Sequence, residues 1–296
     1  MAHLERDRRV PARAEDVMRV LSLLVTTVAI ATLLGTAASG FGAQAAPRTA
    51  AAVSTQASAP STPTTVALLD SLRPVIERAV VAGDWPMLDR AVARLRTASA
   101  SAAGRNDPWV YYDLAYALHR RASGAIAEKS RDAKPLVEEA IRAAARATIL
   151  GADEHARALE GALNGQYAAV GGALAPMRFG PRALSLLDQA VAAAPNDARV
   201  ALLNGITRVN APRAFGGGPA RAEAELRRAI RLYASDRNAT PLPTWGRADA
   251  HIWLGLALQA QDKKVEARAE FQRALAISPG HRWVTNQLLP ALDRAK

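Results

Sequence analysis

The chain contains no cysteine. Disulfide bridges, thiolate metal sites and cysteine nucleophiles are therefore excluded, while the redox compartment stays open. Aromatic residues make up only 5% of the sequence, and alanine is abundant. This balance suits closely packed helices better than sheets, which favour β-branched and aromatic residues. The composition therefore predicts an all-α fold, and a hydrophobic content of 50% is enough for a substantial core.

Acidic residues are also in short supply. The 38 Lys and Arg residues outnumber the 27 Asp and Glu residues, which gives a formal net charge of +11. Such an excess would suit nucleic acid or an anionic membrane. The arginines are scattered along the predicted helices, however, and no run combines clustered basic residues with interleaved aromatics. We therefore expect no nucleic-acid partner, and membrane contact only through the N-terminal segment.

An uncharged run near the N-terminus extends over residues 20–34 and follows Arg19. Small residues come next, and Ala43 and Ala45 satisfy the small-x-small rule of secretory cleavage sites. We therefore predict that residues 1–45 are a signal peptide, cleaved after Ala45. The protein would then be periplasmic or secreted, in a bacterial cell envelope.

An uncleaved anchor is the alternative for the same segment, because residues 20–38 approach the roughly 20 residues that span a bilayer. Arginines precede the apolar run in both interpretations, so the positive-inside rule places the rest of the chain outside the cytoplasm. The start of translation is open as well, since Met18 would give a more compact charged segment than Met1. Neither choice changes the predicted topology.

Beyond the export segment, residues 46–65 are rich in Ala, Ser, Thr and Pro and show no periodicity. This composition predicts a flexible linker. From residue 66 onward, apolar residues recur with the helical period and are interrupted at short intervals by Gly, Pro, Asn and Asp. We therefore predict a domain of successive helical hairpins over residues 66–296.

Residues 248–281 form the clearest repeat unit. Its key residues are Leu254, Gly255, Leu258, Ala267, Phe271, Ala274 and Pro279. Small residues at Gly255, Ala267 and Ala274 would let two helix backbones approach closely. Phe271 would fill the space beside them, and Pro279 would end the second helix. In length and spacing the unit resembles a tetratricopeptide repeat (TPR).

Weaker copies of the second-helix pattern come earlier, with spacings of four and then three residues. They are Ala222, Leu226 and Ala229; Ala183, Leu187 and Ala190; and Ala140, Ala144 and Ala147. The most N-terminal copy spans residues 69–102. The resemblance implies a TPR-like α-solenoid of about five helical hairpins plus a capping helix from His281. Long loops are expected at residues 122–133 and 214–219.

The loop at residues 212–218 has the form P-x-x-F-G-G-G and precedes a predicted second helix. Together with the export signal, it is similar to exported bacterial TPR proteins related to the T component that accompanies TRAP transporters. That likeness implies a periplasmic solute-binding role. A phosphate cradle is disfavoured, because the Lys-Ser/Thr signature of such loops is missing.

The sequence gives little support to catalysis. None of the five histidines has a metal-ligand spacing, and His251 sits where a TPR helix packs its first large residue. Ser185 and Asp188 are near each other on a predicted helix but lack a nucleophile elbow and a histidine partner. We expect a protein that is not an enzyme, with no catalytic residue, cofactor or metal. An enzyme with a site at the loop insertions is the disfavoured alternative.

Residues 107–121 predict a helix that begins with an Asp107 cap and carries an aromatic stripe. If Leu114 and Ala115 hold the Leu-Gly positions, five residues fall on the concave face of the solenoid. They are Trp109, Tyr112, Tyr116, His119 and Arg120. We predict a scaffold that binds a protein, peptide or small ligand there; packing against the next repeat is the competing interpretation. The identity of the partner and the oligomeric state stay open.

Overall fold

The computed structural model describes residues 61–294, and in this part of the chain all regular structure is helical. The helices are α1 (Pro63–Ala82), α2 (Trp85–Ala100), α3 (Pro108–Ala127), α4 (Ala133–Leu150), α5 (Asp153–Val170), α6 (Ala175–Ala193), α7 (Ala198–Asn210), α8 (Pro219–Ser235), α9 (Arg247–Gln259), α10 (Lys264–Ile277) and α11 (Leu289–Arg294). A π-helical turn at Val284–Leu288 runs into α11. The predicted signal peptide, its cleavage site and most of the predicted linker lie outside the described residues.

The helices pack as five consecutive hairpins, α1/α2, α3/α4, α5/α6, α7/α8 and α9/α10, and α11 covers the last of them. The first helices of successive hairpins also contact one another, from α1 through α3, α5 and α7 to α9. We call these five first helices the inner layer. The predicted TPR-like α-solenoid with a capping helix is therefore confirmed. Within residues 61–294, no helix combines the length and the apolar character needed to cross a bilayer.

The first hairpin begins earlier than the sequence suggested. The Thr62 hydroxyl accepts a hydrogen bond from the Thr65 backbone N–H at 3.2 Å, and Pro63 occupies the first turn of α1, where proline is tolerated. Residues 63–65 are thus helical. Gly83 ends α1 with a φ of 62°, a left-handed conformation that glycine adopts without steric cost.

Close approach within the hairpins follows the pattern of small and large residues. A Cβ atom added to Gly255 would lie 2.4 Å from Cε1 of Phe271, and one added to Gly205 would lie 2.6 Å from Cγ of Leu226. Gly161 faces Leu187 in the same way, at 2.8 Å. The predicted role of Gly255 and Phe271 is therefore confirmed, and it recurs in the third and fourth hairpins.

The prediction of a long loop at residues 122–133 is wrong for most of its length. Helix α3 continues to Ala127, so the connection between α3 and α4 is shorter than expected. Gly124 explains the extension: a Cβ there would lie 2.7 Å from the Trp85 ring, so this turn of α3 packs against the start of α2. The insertion before α8 is confirmed. It contains a 3₁₀ turn at Arg213–Phe215 followed by the three glycines.

The two ends of the solenoid meet. Arg282, just before the π-helical turn, donates a hydrogen bond to the carbonyl of Ala82 at the end of α1, at 3.2 Å. Residues of the first and last hairpins therefore face each other across the concave side. The contacts described next lie in this closed interior.

Candidate functional site

Helix α3 is the central element of the inner layer. Its cap is the one predicted: Oδ1 of Asp107 accepts from the backbone N–H groups of Trp109 and Val110, at 2.9 and 3.4 Å. The other carboxylate oxygen accepts from the hydroxyl of Thr65 in α1 at 2.6 Å. This second contact joins the cap of α3 to the first hairpin, so the start of α3 is fixed from two sides.

The structure buries most of the predicted stripe. Trp109, Tyr112, Tyr116 and His119 are at most 9% exposed, and Arg120 is half-buried. The stripe lies on the inner layer, as expected, but the closed solenoid covers it with the chain's own residues. The prediction that these five residues bind a partner is not tested by this arrangement and stays a prediction.

At one end of the stripe, aromatic rings cluster around His155 of α5. The ring centroid of His155 lies 5.5 Å from that of Trp109 and 6.4 Å from that of Tyr112. Burial lowers the pKa of His155, against an opposing effect of the Asp197 carboxylate, whose oxygen lies 3.7 Å from Nδ1. The cluster therefore packs around an imidazole that favours its neutral form.

In the middle of the stripe, Tyr116 contacts two distant parts of the chain. Its ring stacks on that of Trp245, with centroids 4.3 Å apart and planes inclined by 15°. Its hydroxyl donates to Oε1 of Glu77 in α1 at 2.8 Å. Burial, followed by the negative charge of Asp249, raises the pKa of Glu77 to about 7, although Arg120 and the Tyr116 hydroxyl act in the opposite direction.

At the other end, Arg120 forms an ion pair with Asp249 of α9, with Nη1 and Oδ1 2.9 Å apart. Their side chains are only 14% and 8% exposed, so this pair links the second and fifth hairpins through a largely dry contact. His281 is buried nearby and has a pKa lowered first by that burial. Buried pairs of this kind gain little net stability but are costly to break.

His119 completes the stripe. Its Nδ1 lies 2.8 Å from Oε1 of Gln166 in α5. Burial, reinforced by the positive charge of Arg120, lowers the pKa of His119 to about 4. The imidazole is therefore neutral at pH 7, and its Nδ1–H donates to the glutamine.

The sequence did not reveal Arg73, which is the most highly connected side chain on α1. Its Nε lies 2.7 Å from Oδ2 of Asp113 in α3, and it is 8% exposed. Its terminal nitrogens donate to the carbonyls of Pro241 at 2.7 Å and Leu242 at 2.6 Å. Asp113 lies on α3, the helix of the stripe, and Arg73 lies on the buried face of α1 beside Leu69 and Ile76; a charge at such an apolar position was the available signal.

The glycine-rich insertion borders a separate, open groove of about 570 Å³ on the outer side of the solenoid. Its lining residues are Pro181, Leu184, Ser185, Asp188, Gln189, Ala192 and Phe215. Asp188 is engaged by Arg208 at 2.7 Å, and no histidine belongs to the lining. Among the described residues, no group of three or more His, Cys, Asp or Glu side chains is arranged to hold a metal ion. His251 instead contacts Glu270, with Nδ1 and Oε2 2.6 Å apart.

The five helical hairpins and the contacts between their first helices define this protein as a TPR-like helical-repeat protein with a closed inner layer. No protein-family model matches the chain, and a comparison with curated proteins gives no match. Solved structures that are similar to the chain include the following two. One is the HusA haemophore from Porphyromonas gingivalis, with a TM-score of 0.47, 25% identity, and coverage of 68% of this chain and 90% of that one.

The other is MamA, residues 41 to the end, from Desulfovibrio magneticus RS-1. Its TM-score is 0.35 at 18% identity, with coverage of 71% of this chain and 94% of that one. Because function belongs to sites and not to folds, neither likeness assigns a ligand to this chain.

Proposed function

We propose that this protein is a non-catalytic scaffold of the bacterial cell envelope that binds a protein or peptide segment along its inner layer. The observation that carries the proposal is the way Arg73 and Tyr116 hold an irregular stretch of polypeptide between α8 and α9. The inner layer thus has side chains placed to recognise main-chain carbonyls and an aromatic ring. Recognition of this kind suits a segment of polypeptide.

The electrostatics of the inner layer support a binding role over a catalytic one. Arg73 is paired with Asp113, and Arg120 with Asp249. His119 is held neutral and hydrogen-bonded to Gln166. A general base or nucleophile needs a free, reactive group near a site for substrate, whereas these groups are engaged with one another.

Export of the chain completes the proposal, and it is supported by the uncharged run at residues 20–34 and the small residues at Ala43 and Ala45. The partner would then be met outside the cytoplasm. A protein or peptide is favoured over a small ligand, because the interior contacts described above fit main chain and side chains of a polypeptide.

Site-specific photo-cross-linking tests the proposal. A photo-reactive residue replaces Leu242, which is 37% exposed at the edge of the inner layer, and in a matched control replaces Val265, which is 85% exposed on α10. In an envelope fraction, we expect a defined partner to be captured from position 242 and not from position 265. Capture only from position 265, or equally from both, would contradict binding along the inner layer.

A further inference from the structure

The connection between α8 and α9 is longer than the repeat architecture needs. It covers residues 236–246, whereas the equivalent connection between the third and fourth hairpins covers only residues 194–197. Both join a second helix to the next first helix. The additional residues of the α8–α9 connection do not extend into solvent but cross to the first two hairpins.

Arg73 fixes this connection by its main chain. It donates from one terminal nitrogen to the Pro241 carbonyl and from the other to the Leu242 carbonyl. Asp113 holds the guanidinium in place from the opposite side, through Nε and Nη2. Asp70 of α1 adds a contact to the hydroxyl of Thr240. One of the two carbonyls belongs to Pro241, and the other belongs to Leu242, which precedes Pro243. Neither proline has a backbone N–H that needs a hydrogen-bond partner.

The side chains of the connection alternate between two environments. Pro243 and Trp245 are buried, whereas Leu242 and Thr244 are exposed. Residues 239–242 form a turn in which the Leu242 N–H donates to the Ala239 carbonyl at 2.9 Å, and the chain leaves this turn with alternating burial up to Trp245. The buried face ends in the stack of Trp245 on Tyr116, which is part of the stripe that the sequence assigned to partner binding.

We propose that the α8–α9 connection is an internal occupant of the peptide-binding surface, and that an external partner with the same chemistry displaces it. This inference rests on the proposed function and specifies its ligand. The partner is a proline-containing peptide that forms a turn and offers two successive carbonyls to Arg73. An aromatic side chain three residues after the second carbonyl stacks on Tyr116, as Trp245 follows Leu242.

The covalent link gives the internal segment an advantage. Short flexible connections supply effective concentrations of about millimolar, so a free peptide of the same intrinsic affinity competes poorly. The apparent affinity of a micromolar binder would therefore be weakened by a factor of about 1,000 in the intact chain. The inner layer stays closed until a partner with a stronger or longer contact arrives.

The test uses a synthetic peptide with the chain's own sequence from Asn238 to Gly246. The receptor is the full chain in which residues 238–245 are replaced by Gly and Ser at equal length. We expect this variant to bind the peptide at least tenfold more tightly than the wild-type chain, as measured by fluorescence anisotropy of the labelled peptide. A control peptide carrying Trp245→Ala should bind at least tenfold more weakly than the native sequence.

A matched receptor variant tests the role of Arg73. The substitution Arg73→Lys, made in the replaced-connection chain, keeps a positive charge beside Asp113 but lacks the planar fork of five donors that contacts Asp113 and both carbonyls together. Peptide affinity should fall at least tenfold. Equal affinity with and without the substitution, or for the native and Trp245→Ala peptides, would overturn the proposal.

A second measurement applies to the wild-type chain if the replaced-connection variant does not fold. Millimolar peptide should speed amide hydrogen exchange in residues 242–246 and leave residues 211–218, the α7–α8 connection, unchanged. No change in the first segment would mean that the connection is only structural. Cross-linking of a partner at position 242 together with such a failure would refute this inference while leaving the proposed function standing.

Discussion

Substitution of Gly255 by alanine tests the close packing that defines the hairpins. An added Cβ would lie 2.4, 2.7 and 3.0 Å from three ring atoms of Phe271, whose side chain is fully buried and has no room to turn. Overpacking of this severity costs about 3 kcal/mol, and the better helix propensity of alanine returns about 1 kcal/mol. We therefore expect Gly255→Ala to lower the free energy of unfolding by about 2 kcal/mol.

Gly165 in α5 provides the control. It is also a helical glycine on a first helix, but a Cβ there would lie 3.5 Å from Cγ2 of Thr207 and 4.0 Å from Cβ of Ala183, which are ordinary contacts. Gly165→Ala should therefore stabilise the protein by about 0.5–1 kcal/mol. At roughly 2–4 °C per kcal/mol for a domain of this size, calorimetry should show opposite shifts in melting temperature. An increase for both variants would refute the close-packing argument.

Three further predictions concern titration, packing and processing. Because the folded state raises the pKa of Glu77 to about 7, its ionisation costs stability as pH rises from about 4.5 to 7, and Glu77→Gln should gain on the wild type across this window in urea unfolding. The lowered pKa of His119, about 4, has the opposite sign, so His119→Asn should lose its disadvantage as the pH falls from about 6.5 to 4. Ala274→Glu places a charge at a fully buried position and should cost several kcal/mol, visible as a lower melting temperature or selective loss of the last hairpin. Mass spectrometry of the exported protein should find Ala46 as its first residue, whereas an intact Met1 would contradict cleavage.

The hairpins were predictable because their packing depends on residues close in sequence. Gly255 and Phe271 lie in one repeat, and their small-and-large pairing is visible as a spacing. The same rule accounts for the second hairpin, where Ala115 stands at the glycine position and Ala144, not a large residue, stands at the phenylalanine position. A Cβ on the first helix is thus accompanied by a smaller side chain on the second.

The closure of the solenoid was not predictable in this way. Arg73 and its carbonyl partners are separated by 168 and 169 residues, and Arg120 and Asp249 by 129. No local pattern links such residues, and an arginine on an amphipathic helix usually faces water. The sequence placed the stripe on the inner layer, since that depends on the helical period, and it left packing within the chain open as the alternative, but it did not indicate that α1, the α8–α9 connection and α9 would cover the stripe.

The contacts that close the interior are mostly polar, and this has a consequence for function. If the contacts that close the inner layer were apolar, their burial would be favourable in many relative positions. A buried ion pair such as Arg120–Asp249 gains little net stability and is costly when its partners are misaligned. Arg73 similarly requires two carbonyls at fixed positions. The closure is therefore specific in geometry, and a partner that offers the same carbonyls and ring to the inner layer has to overcome chiefly the advantage that the covalent link gives the α8–α9 connection.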